Sequence, residues 1–251
     1  MYNDLITIGS LTIHGYGLMI AIGVLAALFT SEYQAKKKGL PSDLLYTMTV
    51  ICVVFGFFCA KIMYIIVEWK DFIQDPLSFL TLNGFVVYGG VAGGVFIAWV
   101  YLTKLKKQPF WEYFDIVLPG VALAQAFGRI GCFLAGCCYG RETEAWYGIA
   151  FTNSNFAPNG VKLIPTQLIS SAGMFLIAAV CYLFARKNHK PGRVGALYMI
   201  LYAIGRSLVE ELRADKRGAV GPLSTSQFIS IFIVILGLAL FFTRKERETK
   251  D

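Results

Sequence analysis

The chain has 251 residues, of which 56 % are hydrophobic and only 16 % charged, with a mean hydropathy of +0.59. Its charges fall in short clusters between long apolar runs, which excludes an ordinary soluble domain and points to a polytopic membrane protein. The net charge of +7 does not indicate nucleic-acid binding, because the basic residues collect on alternate loops, as membrane orientation and anionic headgroups require.

The first lysine or arginine is Lys36, so the amino terminus lacks the positive segment of a cleaved signal peptide, and the first apolar run is expected to stay. Residues 1–12 read as an interfacial lead-in. His14-Gly15-Tyr16-Gly17 opens the first span, which continues to about Phe29. The second span covers about Leu44 to Val67 with Lys61 inside it, and Asp71, Asp75, Pro76 and Asn83 mark an acidic loop with a short interfacial helix. The third, about Phe85 to Leu102, contains Tyr88-Gly89-Gly90-Val91-Ala92-Gly93-Gly94, small residues that let helix backbones approach closely.

The fourth span, about Tyr113 to Gly136, runs into Gly128-Arg129-Ile130-Gly131-Cys132-Phe133-Leu134-Ala135-Gly136-Cys137-Cys138-Tyr139-Gly140, and a polar segment at 141–163 reads as a small cap. Pro165-Thr166-Gln167 starts the fifth span, about Ile164 to Phe184. The sixth covers about Gly195 to Leu212, the seventh about Ser226 to Phe242, and a mixed-charge tail follows. The expectation is an all-α polytopic membrane protein with seven transmembrane helices forming one membrane domain over 1–251. Loops after the first, third and fifth spans, with the tail, carry 14 Lys and Arg against 6 on the opposite loops. That asymmetry places the amino terminus outside, the carboxyl terminus in the cytoplasm and the cap on the extracytoplasmic side.

Two features ask for chemistry. An arginine at membrane depth costs about 2.5 to 3.5 kcal/mol on insertion scales, so Arg129 reads as part of a functional site. In the sixth span Tyr202, Arg206, Glu210 and Arg213 recur every three or four residues and share one helix face. Arg206 and Glu210 could form a purely structural pair, but Glu210 neutralises only one of two guanidiniums. A second arginine on the same outer side calls for an anion, and the planar guanidinium fork suits phosphate. A phospholipid headgroup supplies that charge.

These segments resemble the prolipoprotein diacylglyceryl transferases, seven-helix enzymes of the bacterial inner membrane, over nearly the whole chain. His14-Gly15-Tyr16-Gly17 is similar to the family's HWYG segment, Tyr88-Gly89-Gly90 to its HGG motif, and Gly128 to Gly140 to its signature GRxGNFxNxExxG. Pro165-Thr166-Gln167-Leu168 is similar to the PSQL element, and Tyr202 to Arg213 matches YxxxRxxxExxR. The resemblance implies transfer of diacylglyceryl from phosphatidylglycerol to the lipobox cysteine in the signal peptide of a prolipoprotein, with membrane lipids as the surroundings. It implies that Arg129 and Arg206 bind and activate the lipid phosphate, supported by Tyr16, Gly89, Gly90, Gly140, Gln167, Tyr202 and Glu210.

This chain departs from the family pattern at the histidine of HGG, which is Tyr88, at the signature asparagines, which are Cys132 and Ala135, and at the signature glutamate, which is Cys137. With only two histidines in the chain and His189 on the predicted cytoplasmic side, His14 is the candidate base and Tyr88 its rival. Cys132, Cys137 and Cys138 admit several readings: small residues lining a crowded helix end, a disulfide, or a reactive thiol near Arg129. The last leaves open a diverged paralogue that passes a lipid fragment to another acceptor through a cysteine. No metal or other cofactor is expected, since C-x4-C-C is not a common zinc spacing and no histidine lies nearby.

Overall fold

The computed structural model describes residues 4–8, 11–81, 84–187, 189–214 and 218–243. The tail beyond Thr243, together with Asn83, Lys216, Arg217 and the start of the lead-in, lies outside these residues. Eight α-helices occur among the described residues: α1 (Gly15–Lys37), α2 (Asp43–Val67), α3 (Trp69–Gln74), α4 (Val87–Val100), α5 (Phe110–Ala135), α6 (Thr166–Ala185), α7 (Arg193–Glu210) and α8 (Thr225–Thr243). A wider π turn, Tyr101–Leu105, extends α4, and Ser78–Leu80 forms a single 3₁₀ turn.

Six of the helices are long and apolar enough to cross a membrane: α1, α2, α4 with its extension, α5, α6 and α8. The seventh long helix, α7, is the expected sixth span, and it falls short because its 18 residues include Arg193, Arg206 and Glu210. Large apolar side chains on the outer faces, among them Phe29, Val54, Phe57, Leu176, Leu208 and Ile235, are all more than half exposed. A soluble monomer rarely shows such patches; here they form a surface suited to hydrocarbon.

The lead-in takes a form that the sequence reading did not assign. It is a short antiparallel hairpin, β1 (Asp4–Ile8) against β2 (Leu11–His14), that ends directly at α1. The 141–163 segment holds a second pair, β3 (Ile149–Ala150) with β4 (Lys162–Leu163), and a third, β5 (Ala219–Val220) with β6 (Leu223–Ser224), precedes α8. The expected cap has a core of its own: Phe151, Ala157 and Leu163 are buried together, with Phe133, Tyr139 and Val161 packed against them.

The chain divides into two compact units, Ala35–Tyr113 and the remainder. In the larger unit, α5, α6 and α7 share a core of Leu118, Ala122, Ala126, Met174, Ile177, Ala178, Cys181, Val194 and Tyr198. Helices α1 and α5 run antiparallel in a constant register, Ala27 opposite Gly120, Gly23 opposite Ala124 and Tyr16 opposite Gly131. The approach is so close that a Cβ on Gly120 would stand 2.7 Å from the Ala27 carbonyl oxygen. Pro119 loosens α5 at this level, and the buried Gln34 side chain donates to the Ile116 carbonyl at 3.1 Å on the same turn.

Asp115, buried on α5, explains how α7 begins. Its two carboxylate oxygens accept from the backbone N–H groups of Gly192 (2.7 Å) and Gly195 (2.9 Å), placing negative charge on the positive end of the helix. His189, the second histidine, is also accounted for: it stacks on Phe184 with centroids 3.6 Å apart and bonds the Phe184 carbonyl at 2.6 Å.

In the smaller unit α4 lies on α2 through the glycines anticipated as a packing stripe. A Cβ on Gly89 would meet the Cys59 carbonyl oxygen at 2.7 Å, and one on Gly93 would meet Cys59 Sγ at 2.5 Å. Lys61, in the middle of α2, bonds the Thr81 carbonyl at 3.0 Å and lies 5.2 Å from the centroids of the Tyr64 and Phe85 rings. That satisfies an ammonium that would otherwise be costly within a span.

Candidate active site

Helix α5 ends at Ala135 because Gly136 takes a left-handed conformation, φ 74°, which turns the chain back on its own last turn. Gly136 N–H then bonds the Phe133 carbonyl (3.1 Å) and Cys137 N–H the Cys132 carbonyl (3.1 Å). Cys138 follows with φ 61°, a conformation that costs about 1 kcal/mol or more for a residue with a Cβ. The start of α6 holds it there. Gln167 Nε2 donates to the Cys137 carbonyl at 2.7 Å, and Thr166 Oγ1 donates to the Cys138 carbonyl at 2.9 Å.

Gly140 is where three segments meet. Its N–H bonds the Ile164 carbonyl at 3.0 Å, Arg141 N–H bonds the Leu212 carbonyl at 2.9 Å, and Gly140 pairs with Arg213 as an isolated bridge. A Cβ here would lie 2.7 Å from the Ile164 oxygen and 2.8 Å from the Leu212 oxygen, so no side chain fits. The contribution of Gly140 and Gln167 to the site is thus visible as backbone architecture: they hold the end of α5 against the starts of α6 and the segment after α7.

This turn brings the three cysteines together. The sulfurs of Cys132, Cys137 and Cys138 all lie within 4.8 Å of one another, each half-buried and none in a disulfide. The Cys132 and Cys137 thiols donate to the Cys138 sulfur and the Arg213 guanidinium adds a further donor, so the Cys138 thiol is held well below the ordinary range. Cys137, hydrogen-bonded to Cys132 and then Cys138 and partly buried, is pushed up. Cys138 therefore keeps its thiolate as pH falls. In reduced, chelator-treated membranes, alkylation of Cys138 should fall less steeply between pH 8 and pH 6 than that of an ordinary thiol, which slows on the order of 100-fold. Peptide mass spectrometry of iodoacetamide-labelled protein reads the difference; a Cys138 rate that falls in step with free thiol would contradict the arrangement.

Helix α7 supplies the facing row. Tyr198 donates its hydroxyl to Gln125 Oε1 on α5 at 2.7 Å and stacks on Tyr202 with centroids 5.8 Å apart. One turn beyond Tyr202, Arg206 Nη1 pairs with Glu210 Oε2 at 2.5 Å, both side chains about nine-tenths buried, and Arg206 Nη2 donates to Ser226 Oγ at 2.8 Å. Helices α5 and α7 run in the same direction, tied at Asp115 to Gly192, at Gln125 to Tyr198, and at Cys138 to Arg213. Arg129 follows Gln125 by one turn and Arg206 follows Tyr198 by two, so both arginines fall in the interval between the upper two ties.

Arg129 is half-buried, and its guanidinium has no hydrogen-bond or ion-pair partner among the described residues. The exposed Tyr16 phenol is in electrostatic reach of Arg129 and of the three thiols, and its ring packs against the Gly131 face of α5. The larger unit thus gathers Tyr16, Arg129, the cysteines, Gly140, Gln167, Tyr202, Arg206 and Glu210. His14, exposed, ends β2 two residues before Tyr16. Tyr88, Gly89 and Gly90 belong to the smaller unit, on the first turn of α4, where the two glycines pack on α2 and Tyr88 is exposed. Nothing in the sequence pattern marks Gln125 or Ser226, whose side chains fix Tyr198 and Arg206; each is a single polar residue in an apolar stretch or at a helix start.

Residues 3–243 match the family described as prolipoprotein diacylglyceryl transferase. A phosphatidylglycerol–prolipoprotein diacylglyceryl transferase of Clostridium tetani is 47 % identical over 232 residues, covering 92 % of this chain and 93 % of the relative. The protein named phosphatidylglycerol–prolipoprotein diacylglyceryl transferase 2 in Clostridium perfringens is 46 % identical over 244 residues, 96 % of this chain and 94 % of its own. The Clostridioides difficile transferase is 33 % identical over 246 residues, 96 % of each chain. With the match running from the first hairpin to the end of α8, the chain belongs to the prolipoprotein diacylglyceryl transferase family.

Proposed function

We propose that this chain moves diacylglyceryl from phosphatidylglycerol to the lipobox cysteine of a prolipoprotein signal peptide. The observation that carries the reading is the half-buried Arg129 guanidinium, without a hydrogen-bond or ion-pair partner among the described residues, in the same interval of the bundle as the Arg206–Glu210 pair. Family membership and the names of the relatives support the same substrates.

Arg129 and Arg206 hold the phosphate, and Tyr16, Tyr202 and Glu210 line its site. The acceptor thiol loses its proton, and the thiolate attacks the glycerol carbon that bears the phosphate oxygen. A sulfur–carbon bond forms, the carbon–oxygen bond breaks, and the electron pair leaves with glycerol phosphate, whose charge the guanidiniums stabilise. His14 takes the proton, with Tyr88 as the rival group. No covalent enzyme intermediate is needed.

The polar helix α7 is the sixth of seven spans, with Arg206 and Glu210 turned to protein rather than lipid. The Lys and Arg asymmetry puts β1, β2, the cap and the end of α5 outside, in a multi-pass protein of the bacterial inner membrane. The test is complementation: expression of this chain in a strain depleted of its own transferase should restore growth and lipid-modified prolipoprotein. Normal expression and folding without restoration would contradict the proposal.

A further inference from the structure

We propose that Cys132, Cys137 and Cys138 form a three-thiolate site for a soft divalent cation of the zinc class, which clasps the end of α5 to the loop beyond it. The inference is independent of the transferase reading.

Zinc–sulfur bonds of about 2.3 Å set sulfurs about 3.8 Å apart in a tetrahedral site, and the three sulfurs here already lie within 4.8 Å of one another. Small χ1 rotations of half-buried side chains close the gap. The other cysteines behave differently: Cys181 packs in the apolar core of α5 to α7, Cys59 lies under Gly93, and Cys52 donates to the Gly94 carbonyl at 3.5 Å. Those are packing thiols. The trio has its sulfurs turned toward each other.

The backbone is built for this. Two left-handed residues, Gly136 and Cys138, are needed to turn Cys137 and Cys138 back to Cys132 in the last turn of α5, and Gln167 and Thr166 pin the carbonyls on either side. A sequence spacing of C-x4-C-C is unusual for zinc because it needs that reversal, and here the reversal is present. A disulfide would use two of the sulfurs and leave the third without a reason to be there.

Charge is matched as well. Three thiolates around a divalent ion leave one negative charge, and Arg213 donates to the Cys138 sulfur while Arg129 lies in electrostatic reach of Cys132. Such outer donors orient and neutralise thiolate ligands. Three protein ligands leave a fourth position for water or another ligand, and the Tyr16 phenol lies within electrostatic reach of all three sulfurs.

The experiment uses the full chain, purified in detergent, reduced and stripped with a chelator, then titrated with zinc and with cobalt(II) as an optical probe. Expected are one metal per chain and a sulfur-to-cobalt charge-transfer band, both lost in Cys132→Ser/Cys137→Ser/Cys138→Ser and kept in Cys52→Ser/Cys59→Ser/Cys181→Ser. On the unmodified chain, zinc at 100 times its Kd should slow alkylation of Cys132, Cys137 and Cys138 about 100-fold without protecting the other three. This reading stands even if the triple variant does not fold. Absence of stoichiometric metal, equal binding by the folded triple variant, or alkylation of the trio unchanged by zinc would overturn the proposal.

Discussion

Arg129→Ala should lower turnover on phosphatidylglycerol vesicles by about 100- to 1,000-fold, the loss found when one preorganised donor to a developing anion is removed. Arg129 reaches this position because α5 continues as far as Ala135 and is held there by the start of α6. Among the described residues its guanidinium has no hydrogen-bond or ion-pair partner, so its removal should cost little stability and the deficit should appear in the rate. Arg129→Lys keeps the charge but loses the two-pronged donor, and it should fall between the two. Initial rates with normally folded protein decide the point: full activity in Arg129→Ala would remove the phosphate-binding role.

Glu210→Ala should have the largest effect on stability. The carboxylate sits 2.5 Å from Arg206, and both side chains are about nine-tenths buried. Removing one partner of such a buried pair costs about 3 to 5 kcal/mol. Arg206→Ala/Glu210→Ala should recover most of that stability, since both charges of the buried pair are gone, while remaining inactive. Denaturant unfolding in detergent measures the first effect and vesicle assays the second. A single variant as stable as the double would mean the pair is not buried in the membrane-embedded protein.

Long helices were legible because an apolar run near 20 residues has few alternatives in a membrane chain. Boundaries for α6 and α8 fall within two residues of those expected. Helix α7 was legible for a different reason, the three- and four-residue recurrence of Tyr202, Arg206, Glu210 and Arg213, and that same polarity keeps it from qualifying as a span on composition. The hairpins were not legible. Strands of two residues carry no usable alternation, and β1–β2 lies in the stretch read only as an interfacial lead-in.

At the site, Arg206 with Glu210 was visible as an i, i+4 pair, and Gly89 to Gly94 as a packing stripe. The convergence of the cysteines was not, because it depends on a left-handed Cys138 that only the contacts from Thr166 and Gln167 hold in place. Gly140 matched a family glycine, yet its reason, backbone from Ile164 and Leu212 within 2.8 Å of where a Cβ would stand, is a tertiary fact.

The central claim is that this chain makes a thioether on an acceptor peptide at the expense of phosphatidylglycerol. Mass spectrometry of purified chain incubated with phosphatidylglycerol and a lipobox peptide tests it directly. The account predicts one diacylglyceryl group on the peptide cysteine and an equal amount of free glycerol phosphate, with no lipid on the enzyme. An unmodified peptide, or lipid found on Cys137 or Cys138 instead, would contradict it.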